Sequence, residues 1–253
     1  DHVGIDHGHY LGFEQSSFFP TAFSVQATDI LNKLAPGTFT PKYPVRQYTI
    51  TYETKDPKSE AAMGSAVVFV PLNVTGTLPM MLYYHGTQFE DKNSASHGRF
   101  DSAKRATSHE DDISIMVAFA SEGMIVVVPD QLGFGVSNGA HPYLATDALA
   151  QDGIDAISAT KRLFDAEKFP GEFDKRLLVT GYSAGGLLAM VTHKKIETQH
   201  STKFLVNPAD PASFSPGHDF YFMGSAPGSG PYDMAGTMLD TMLSDSDYSA
   251  PEF

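Results

Sequence analysis

The sequence predicts an α/β fold with a mostly parallel β-sheet and helices on both faces. Two observations carry this prediction. Short apolar segments alternate with longer helical patterns along the chain, which is typical of a parallel sheet whose strands are connected by helices. In addition, one apolar strand runs through a glycine-flanked serine directly into an apolar helix.

Several segments have the period or composition of strands. Val45–Glu53 alternates between apolar and polar residues, and Ser65–Pro71 follows it as a second strand. We expect these two strands to form an antiparallel pair at an edge of the sheet. Mainly apolar strands are expected inside a sheet that is covered on both faces, and the candidates are Pro79–His85, Met124–Pro129, Lys175–Gly181 and Phe220–Gly224.

Helical patterns follow three of these strands. Ile113–Ala120 and Gly185–Glu197 are predicted helices, and Tyr143–Phe169 is the longest, with an apolar stripe along one face. Pro142 is predicted at the first position of that long helix, where a missing N–H costs no hydrogen bond. The polar stretch Gly86–Asp112 has few apolar residues and is predicted to be a mobile loop.

Composition restricts the possible functions. A chain of 253 residues, 42% of them hydrophobic, supports one core, which we assign to residues 43–253 behind an N-terminal extension, residues 1–42. A net charge of −13 without a basic stripe argues against nucleic-acid binding. No apolar run approaches the ~20 residues of a membrane helix. The absence of cysteine excludes disulfides, thiol catalysis and cysteine-bound metals.

The segment around Ser183 is the most informative part of the chain. An apolar strand is followed by Gly181-Tyr182-Ser183-Ala184-Gly185 and then by an apolar helix. In such a turn the serine has strained backbone angles, and the residues two positions before and after it crowd each other, so both must be glycine. The helix N-terminus behind the serine favours developing negative charge. A chance Gly-x-Ser-x-Gly would lack this context, so we interpret Ser183 as a nucleophile.

A serine nucleophile needs N–H groups that stabilise the oxyanion of the tetrahedral intermediate. The residue after the nucleophile, Ala184, is expected to supply the first. Thr87 is predicted to supply the second, because an apolar strand ends at His85 and Gly86 allows the backbone to approach the substrate. The alternative is an ordinary strand-to-loop turn. His85 is interpreted as a residue that orients this turn, rather than as the catalytic base.

Two other polar groups have a structural and a functional interpretation. Asp130 follows a strand and could be a catalytic acid, but we favour a role in holding the glycine-rich loop after it through backbone N–H groups. A cluster of imidazole and carboxylate side chains near the N-terminus could bind a metal, although a solvated tail is the favoured interpretation. This cluster consists of Asp1, His2, Asp6, His7 and His9. No metal or cofactor site is therefore predicted.

As a set, these motifs resemble those of the α/β-hydrolase superfamily, and within it the secreted microbial lipase/esterase group. The resemblance extends from about Tyr43 to Phe253. It rests on the segments at 48–54, 85–87, 129–135, 141–144, 181–186 and 230–234. It implies hydrolysis of a small-molecule or lipid ester through an acyl-enzyme on Ser183, without a cofactor, by a secreted or periplasmic protein.

The base and the acid that a serine nucleophile requires are not evident. In the fold that the sequence resembles, both follow the serine. The weak candidates are His200, His218 and, as the acid, Asp233, while His193 is expected to point along its helix and away from Ser183. We therefore expect that the C-terminal strands of this fold are lacking from the sequence, and that the histidine and the acid come from a missing segment or a second chain.

Other activities use the same parts. An acyltransferase or a serine peptidase would need the same turn and the same N–H donors. A non-catalytic binding protein on this scaffold is the alternative from another class of protein. Labelling with a fluorophosphonate separates that alternative from an enzyme, because only an activated serine reacts.

Overall fold

The computed structural model describes residues 10–19, 42–97, 108–166, 171–200, 202–206, 217–234 and 236. In this part of the chain a sheet of eight strands is accompanied by three α-helices. The strands are β1 (Tyr10–Phe19), β2 (Val45–Lys55), β3 (Ala61–Pro71), β4 (Thr77–Tyr84), β5 (Ile125–Pro129), β6 (Glu172–Tyr182), β7 (Phe204–Val206) and β8 (Phe220–Gly228). The helices are α1 (Ser108–Ser121), α2 (Thr146–Ala166) and α3 (Ala184–Gln199).

The sheet is mixed, with a parallel part that contains β4, β5, β6, β7 and β8. Its strand order is β1-β2-β3-β5-β4-β6-β8-β7. The pairs β5–β4, β4–β6, β6–β8 and β8–β7 are parallel, whereas β1, β2 and β3 pair in an antiparallel fashion and β3 is antiparallel to β5. The carboxyl ends of β4, β6 and β8 consequently meet at one edge of the sheet, where the candidate site lies.

Helices cover both faces of the sheet. Val67 and Phe69 of β3 belong to an apolar cluster that includes Met116 of α1. Their neighbour Val68 belongs to a second cluster, which includes Ile157 of α2 and residues of α3. Successive strand residues point to opposite faces, so the two clusters lie on opposite sides of the sheet. The predicted α/β class is confirmed. No helix among the described residues is long and apolar enough to span a membrane.

Two strands, β1 and β7, are not predicted from the sequence. β2 and β3 form the predicted antiparallel pair, but β1 lies outside β2, so the prediction that this pair forms the sheet edge is wrong. β7 adds a second strand after Ser183, where sequence analysis finds only one. β7 has three residues, too few to show a period. The proposed domain boundary between residues 42 and 43 stays a prediction.

The long helix α2 begins three residues later than predicted, at Thr146 rather than Tyr143. Leu144 has a φ of 66°, which no helical residue adopts, and the Thr146 N–H donates to the Leu144 carbonyl oxygen at 2.7 Å. Pro142 consequently lies in a turn before the helix and not at its first position.

The predicted loop between β4 and α1 is shorter than expected. α1 already begins at Ser108, so the prediction that the loop reaches Asp112 is wrong. After β4, Asp91–Asn93 forms a 3-10 turn, and the Ser94 hydroxyl donates to the Asp91 carboxylate at 3.1 Å. Residues 98–107 lie outside the described ranges, and the predicted mobility of this stretch stays untested.

Candidate active site

Ser183 forms the tight turn that joins β6 to α3. Its backbone angles, φ 56° and ψ −123°, are sparsely populated for a residue with a side chain. Its N–H donates to the Gly228 carbonyl oxygen at 2.9 Å, and its carbonyl oxygen accepts from the Gly186 N–H at 2.9 Å. The Ser183 hydroxyl makes no capping bond to the helix. The backbone is therefore fixed while the partly exposed hydroxyl stays available.

Gly181 and Gly185 lie where no side chain fits. A Cβ on Gly185 would lie 2.6 Å from the His85 carbonyl oxygen and would overlap the Tyr84 carbonyl oxygen as well. A Cβ on Gly181 would lie 2.8 Å from the Tyr84 carbonyl oxygen and would overlap Gly185. The mutual crowding expected from the sequence is thus present, and the end of β4 adds to it.

The turn after β4 reaches the same place. A Cβ on Gly86 would lie 3.6 Å from the Ser183 Cβ, so the two turns are in direct contact. Thr87 and Ala184 both line the narrow cleft beside this contact. The Ala184 N–H belongs to the first turn of α3, where N–H groups have no acceptor within the helix. Two backbone segments that could supply oxyanion donors are therefore adjacent.

His85 is buried behind this turn, with both ring nitrogens near backbone carbonyl groups. Its Nδ1 lies 2.8 Å from the Gly86 carbonyl oxygen, and its Nε2 lies 3.2 Å from the Asp130 carbonyl oxygen. Carbonyl oxygens only accept, so a ring nitrogen that bonds to either of them does so as the donor. This arrangement supports the interpretation of His85 as a residue that orients the turn.

Asp130 is fully buried, and its carboxylate is held by one residue of β3 and one residue of the segment after β4. Its Oδ2 accepts from the Ser65 hydroxyl at 2.5 Å, and its Oδ1 accepts from the Ser96 N–H at 2.9 Å. Burial raises the pKa of Asp130, and these two hydrogen bonds oppose the rise. The glycine-rich loop is instead bound by Asp91, which accepts from the Gly135 N–H at 2.7 Å. The expectation that Asp130 binds that loop through its N–H groups is therefore wrong.

The cleft beside Ser183 contains side chains that sequence analysis did not assign to the site. The Tyr143 hydroxyl lies 3.1 Å from Thr87 Oγ1, and the His141 Nδ1 lies 2.7 Å from the Leu132 carbonyl oxygen. Their only signal was the segment 141–144 in the resemblance. The cleft is lined by Gly86, Thr87, Gln88, Gln131, His141, Tyr143, Leu144, Thr146, Leu149, Ala184, Leu187 and Leu188.

His218 lies at the opposite end of the sheet from Ser183. β6 and β8 are parallel, and Tyr221, just after His218, pairs with Arg176 near the start of β6. Ser183 follows the end of β6, so at ~3.3 Å per residue His218 and Ser183 are ~20 Å apart. His218 therefore cannot take a proton from Ser183 in this arrangement.

Of the other two downstream histidines, His193 is on α3 and His200 directly follows it. His200 follows the last residue of this helix of 16 residues, so at ~1.5 Å per residue it is ~24 Å from Ser183. His193 Nδ1 lies 2.8 Å from the Ser225 hydroxyl, and His193 Nε2 lies 3.2 Å from a Glu197 carboxylate oxygen. Neither histidine is in a position to act on Ser183.

Asp233 is at the same edge of the sheet as Ser183. It follows the carboxyl end of β8, is exposed, and accepts a hydrogen bond from the Gly236 N–H at 3.1 Å. Within the described ranges, no histidine forms a hydrogen bond with Ser183, and no group of side chains could hold a metal ion. The imidazole and carboxylate cluster at residues 1–9, for which a solvated tail is the favoured interpretation, lies outside those ranges.

The sheet order, the turn at Ser183 and the helices on both faces define the α/β-hydrolase fold. No protein-family model and no curated protein matches the chain. Among solved structures, the chain is similar to a Legionella pneumophila protein classed as a hydrolase, with 26% identity and a TM-score of 0.73, covering 92% of this chain and 55% of that one.

Esterase and lipase structures are also similar. The rice cell wall degrading esterase LipA from Xanthomonas oryzae is 27% identical, with a TM-score of 0.70 over 93% of this chain and 53% of LipA. Candida antarctica lipase A is 15% identical, with a TM-score of 0.54 over 89% of this chain and 43% of the lipase. This similarity supports the fold alone. The chain spans about half the length of these proteins.

Proposed function

We propose that this chain carries the nucleophile part of a serine hydrolase that cleaves carboxylic esters. The observation that carries the proposal is the strained backbone of Ser183, at φ 56°, directly against the turn at Gly86. Strain of this kind persists where the surrounding structure enforces it, and it exposes a hydroxyl at a helix N-terminus. The similarity to a hydrolase and to the esterase LipA supports the same class of reaction.

In the proposed mechanism, the Ser183 Oγ attacks the ester carbonyl carbon and its proton passes to a base. The N–H groups of Ala184 and Thr87 stabilise the resulting oxyanion, helped by the N-terminus of α3. Collapse of the intermediate breaks the bond to the alcohol oxygen, which takes the proton back from the base, and leaves the acyl group on Ser183. Water then releases the acid. The proposed steps require no cofactor.

We infer that the base is a group outside the described residues of this chain. A histidine within hydrogen-bond reach of Ser183 and an orienting acid are required. Asp233 is the candidate acid in this chain because it follows β8 at the edge that carries Ser183. We propose that the histidine is supplied by another segment of the protein or by a second chain.

Two further proposals concern the substrate and the location of the protein. A small-molecule or lipid ester fits the neutral, partly apolar cleft better than a polyanion, since the chain has a net charge of −13. LipA degrades rice cell walls, which lie outside the bacterial cell. We extend this to the proposal that the present protein is secreted or periplasmic.

Hydrolysis of a nitrophenyl butyrate ester by the full-length gene product tests the proposal. Ser183→Ala should lower kcat/KM by several orders of magnitude, on the scale of ~10⁶ for a triad serine. Ser225→Ala is the matched control, because it removes the serine hydroxyl bonded to His193, and it should change the rate less than twofold. Retention of a tenth of the activity by Ser183→Ala would contradict the proposal, and absence of turnover in the unmodified protein would favour a binding protein.

A further inference from the structure

His141 is held in one tautomer by its surroundings. Its Nδ1 lies 2.7 Å from the Leu132 carbonyl oxygen, which can only accept, so Nδ1 carries the proton. The ring stacks on Phe134 with centroids 4.5 Å apart. Burial lowers the pKa of His141, which keeps the ring neutral near pH 7. The other nitrogen, Nε2, is therefore an unprotonated hydrogen-bond acceptor.

This acceptor has no partner in the described part of the chain. The bond to Leu132 is the one hydrogen bond that the described residues give to the His141 ring, and the ring lines the cleft next to Thr87 and Ala184. A polar atom that loses water without gaining a partner costs free energy. Any group that enters the cleft and displaces water from Nε2 must therefore donate a hydrogen bond there.

The other side chains that line the cleft determine which further chemical features a bound group can have. Four leucines contribute an aliphatic wall; they are Leu144, Leu149, Leu187 and Leu188. No side chain of the cleft lining carries a formal charge while His141 is neutral. A carboxylate or an ammonium group would consequently find no counter-charge, whereas a hydroxyl on a short carbon chain is chemically complementary to both surfaces.

We propose that this cleft binds a hydroxylated part of the ester substrate, whose O–H group donates to Nε2 of His141 while its carbon chain packs on the leucines. The inference rests on the proposed function, because it treats the neighbours of Ser183 as an ester-binding site. His141 then determines specificity and does not take part in the chemical step.

Matched ester pairs test the inference in the full-length protein. The first pair, nitrophenyl 3-hydroxybutyrate and nitrophenyl butyrate, places the hydroxyl on the acyl side. The second pair, glycerol monobutyrate and propyl butyrate, places it on the alcohol side. We expect one pair to show kcat/KM about tenfold higher for the hydroxylated member, in line with one hydrogen bond to a group that would otherwise be buried unpaired. The responding pair identifies the side of the ester that enters the cleft.

Two substitutions separate recognition by Nε2 from anchoring by Nδ1. His141→Asn keeps an amide donor near the Nδ1 position and removes the acceptor, whereas His141→Gln can place its carbonyl oxygen near the Nε2 position and gives up the bond to Leu132. We expect His141→Asn to abolish the hydroxyl preference, so that kcat/KM becomes equal for the two members of the responding pair, and His141→Gln to retain most of the preference.

Three results would overturn the proposal that His141 binds a substrate hydroxyl. Equal kcat/KM within both pairs in the unmodified protein would remove the preference itself, without any variant having to fold. A preference that survives His141→Asn would show that another group binds the hydroxyl. Loss of turnover on all esters in His141→Asn, with the melting temperature unchanged, would make His141 the base. Failure of the proposed function is distinguished by the Ser183→Ala variant, which would then leave hydrolysis of every ester unaffected.

Discussion

The Gly228 carbonyl oxygen accepts a hydrogen bond from the Ser183 N–H at 2.9 Å, so the end of β8 holds the turn that carries the proposed nucleophile. The pairing of β6 with β8 extends to Tyr182, opposite Gly228. A Cβ on Gly186 would overlap the same carbonyl group. The position of Ser183 thus depends on β8 beside it as well as on β4 behind it.

Gly185→Ala should destabilise the protein, because the new Cβ would meet the carbonyl oxygens of Tyr84 and His85. Overpacking of this kind against backbone costs about 2 kcal/mol or more. Urea-induced unfolding of the full-length protein measures it. Gly86→Ala is the matched control, since its Cβ would make ordinary contacts at 3.4 and 3.6 Å, and it should fold with little loss. Equal stability of the two variants would show that the turn is not packed as described.

Asp130→Ala should lower the free energy of unfolding and leave ester hydrolysis by the folded protein largely intact. The variant loses the bonds from the Ser65 hydroxyl and the Ser96 N–H, and such bonds to a carboxylate contribute about 1.5–3 kcal/mol each. Ser65→Ala, which keeps the Ser96 bond, should lose less. Denaturant unfolding gives the free energies, and ester hydrolysis per folded molecule should fall less than tenfold. A fall of a thousandfold with normal stability would make Asp130 a catalytic acid.

Asp152 connects α2 to β2 through a buried hydrogen bond. Its Oδ1 accepts from the Tyr52 hydroxyl at 3.0 Å, and both side chains are fully buried. Burial raises the pKa of Asp152 well above its usual value, while the bond from Tyr52 opposes the rise. The folded state therefore binds this proton more tightly than the unfolded state. Its contribution to stability is complete below the unfolded pKa and is lost as the pH rises through the folded pKa.

Asp152→Asn should remove this pH dependence, because an amide does not ionise. The free energy of unfolding of the variant, relative to the unmodified protein, should rise by on the order of 1 kcal/mol or more between pH 5 and pH 9. Asp165→Asn on α2 is the control and should show no such trend, since the Asp165 carboxylate is largely exposed in its pair with Lys161. A difference that stays constant with pH would mean that Asp152 does not titrate in this range.

The parts of this fold that are determined by residues adjacent in the sequence can be predicted from the sequence. The turn at Ser183 follows from a strand, two glycines and a helix within one short segment, and its backbone strain is found where expected. The central strands have continuous apolar composition, so their existence was predictable. The start of α2 was not, because the left-handed backbone of Leu144 leaves no signal in the residue type.

Contacts between distant segments account for what the sequence does not reveal. β1 is a strand because it pairs with β2, across residues 20–44. His141 belongs to the candidate site because the Leu132 carbonyl group fixes its ring and the first turn of α3 closes the cleft. The partners of Asp130 come from segments that only the folded chain brings together.

The proposed function depends most on Ser183 as an activated nucleophile, and a fluorophosphonate tests this most directly. The full-length protein is treated with the reagent, digested, and analysed by mass spectrometry to locate the phosphonyl adduct. We predict a single adduct on the peptide that contains Ser183, absent after Ser183→Ala and after denaturation before labelling. An adduct on another serine, or no adduct on the folded protein, would contradict the assignment of Ser183 as the nucleophile.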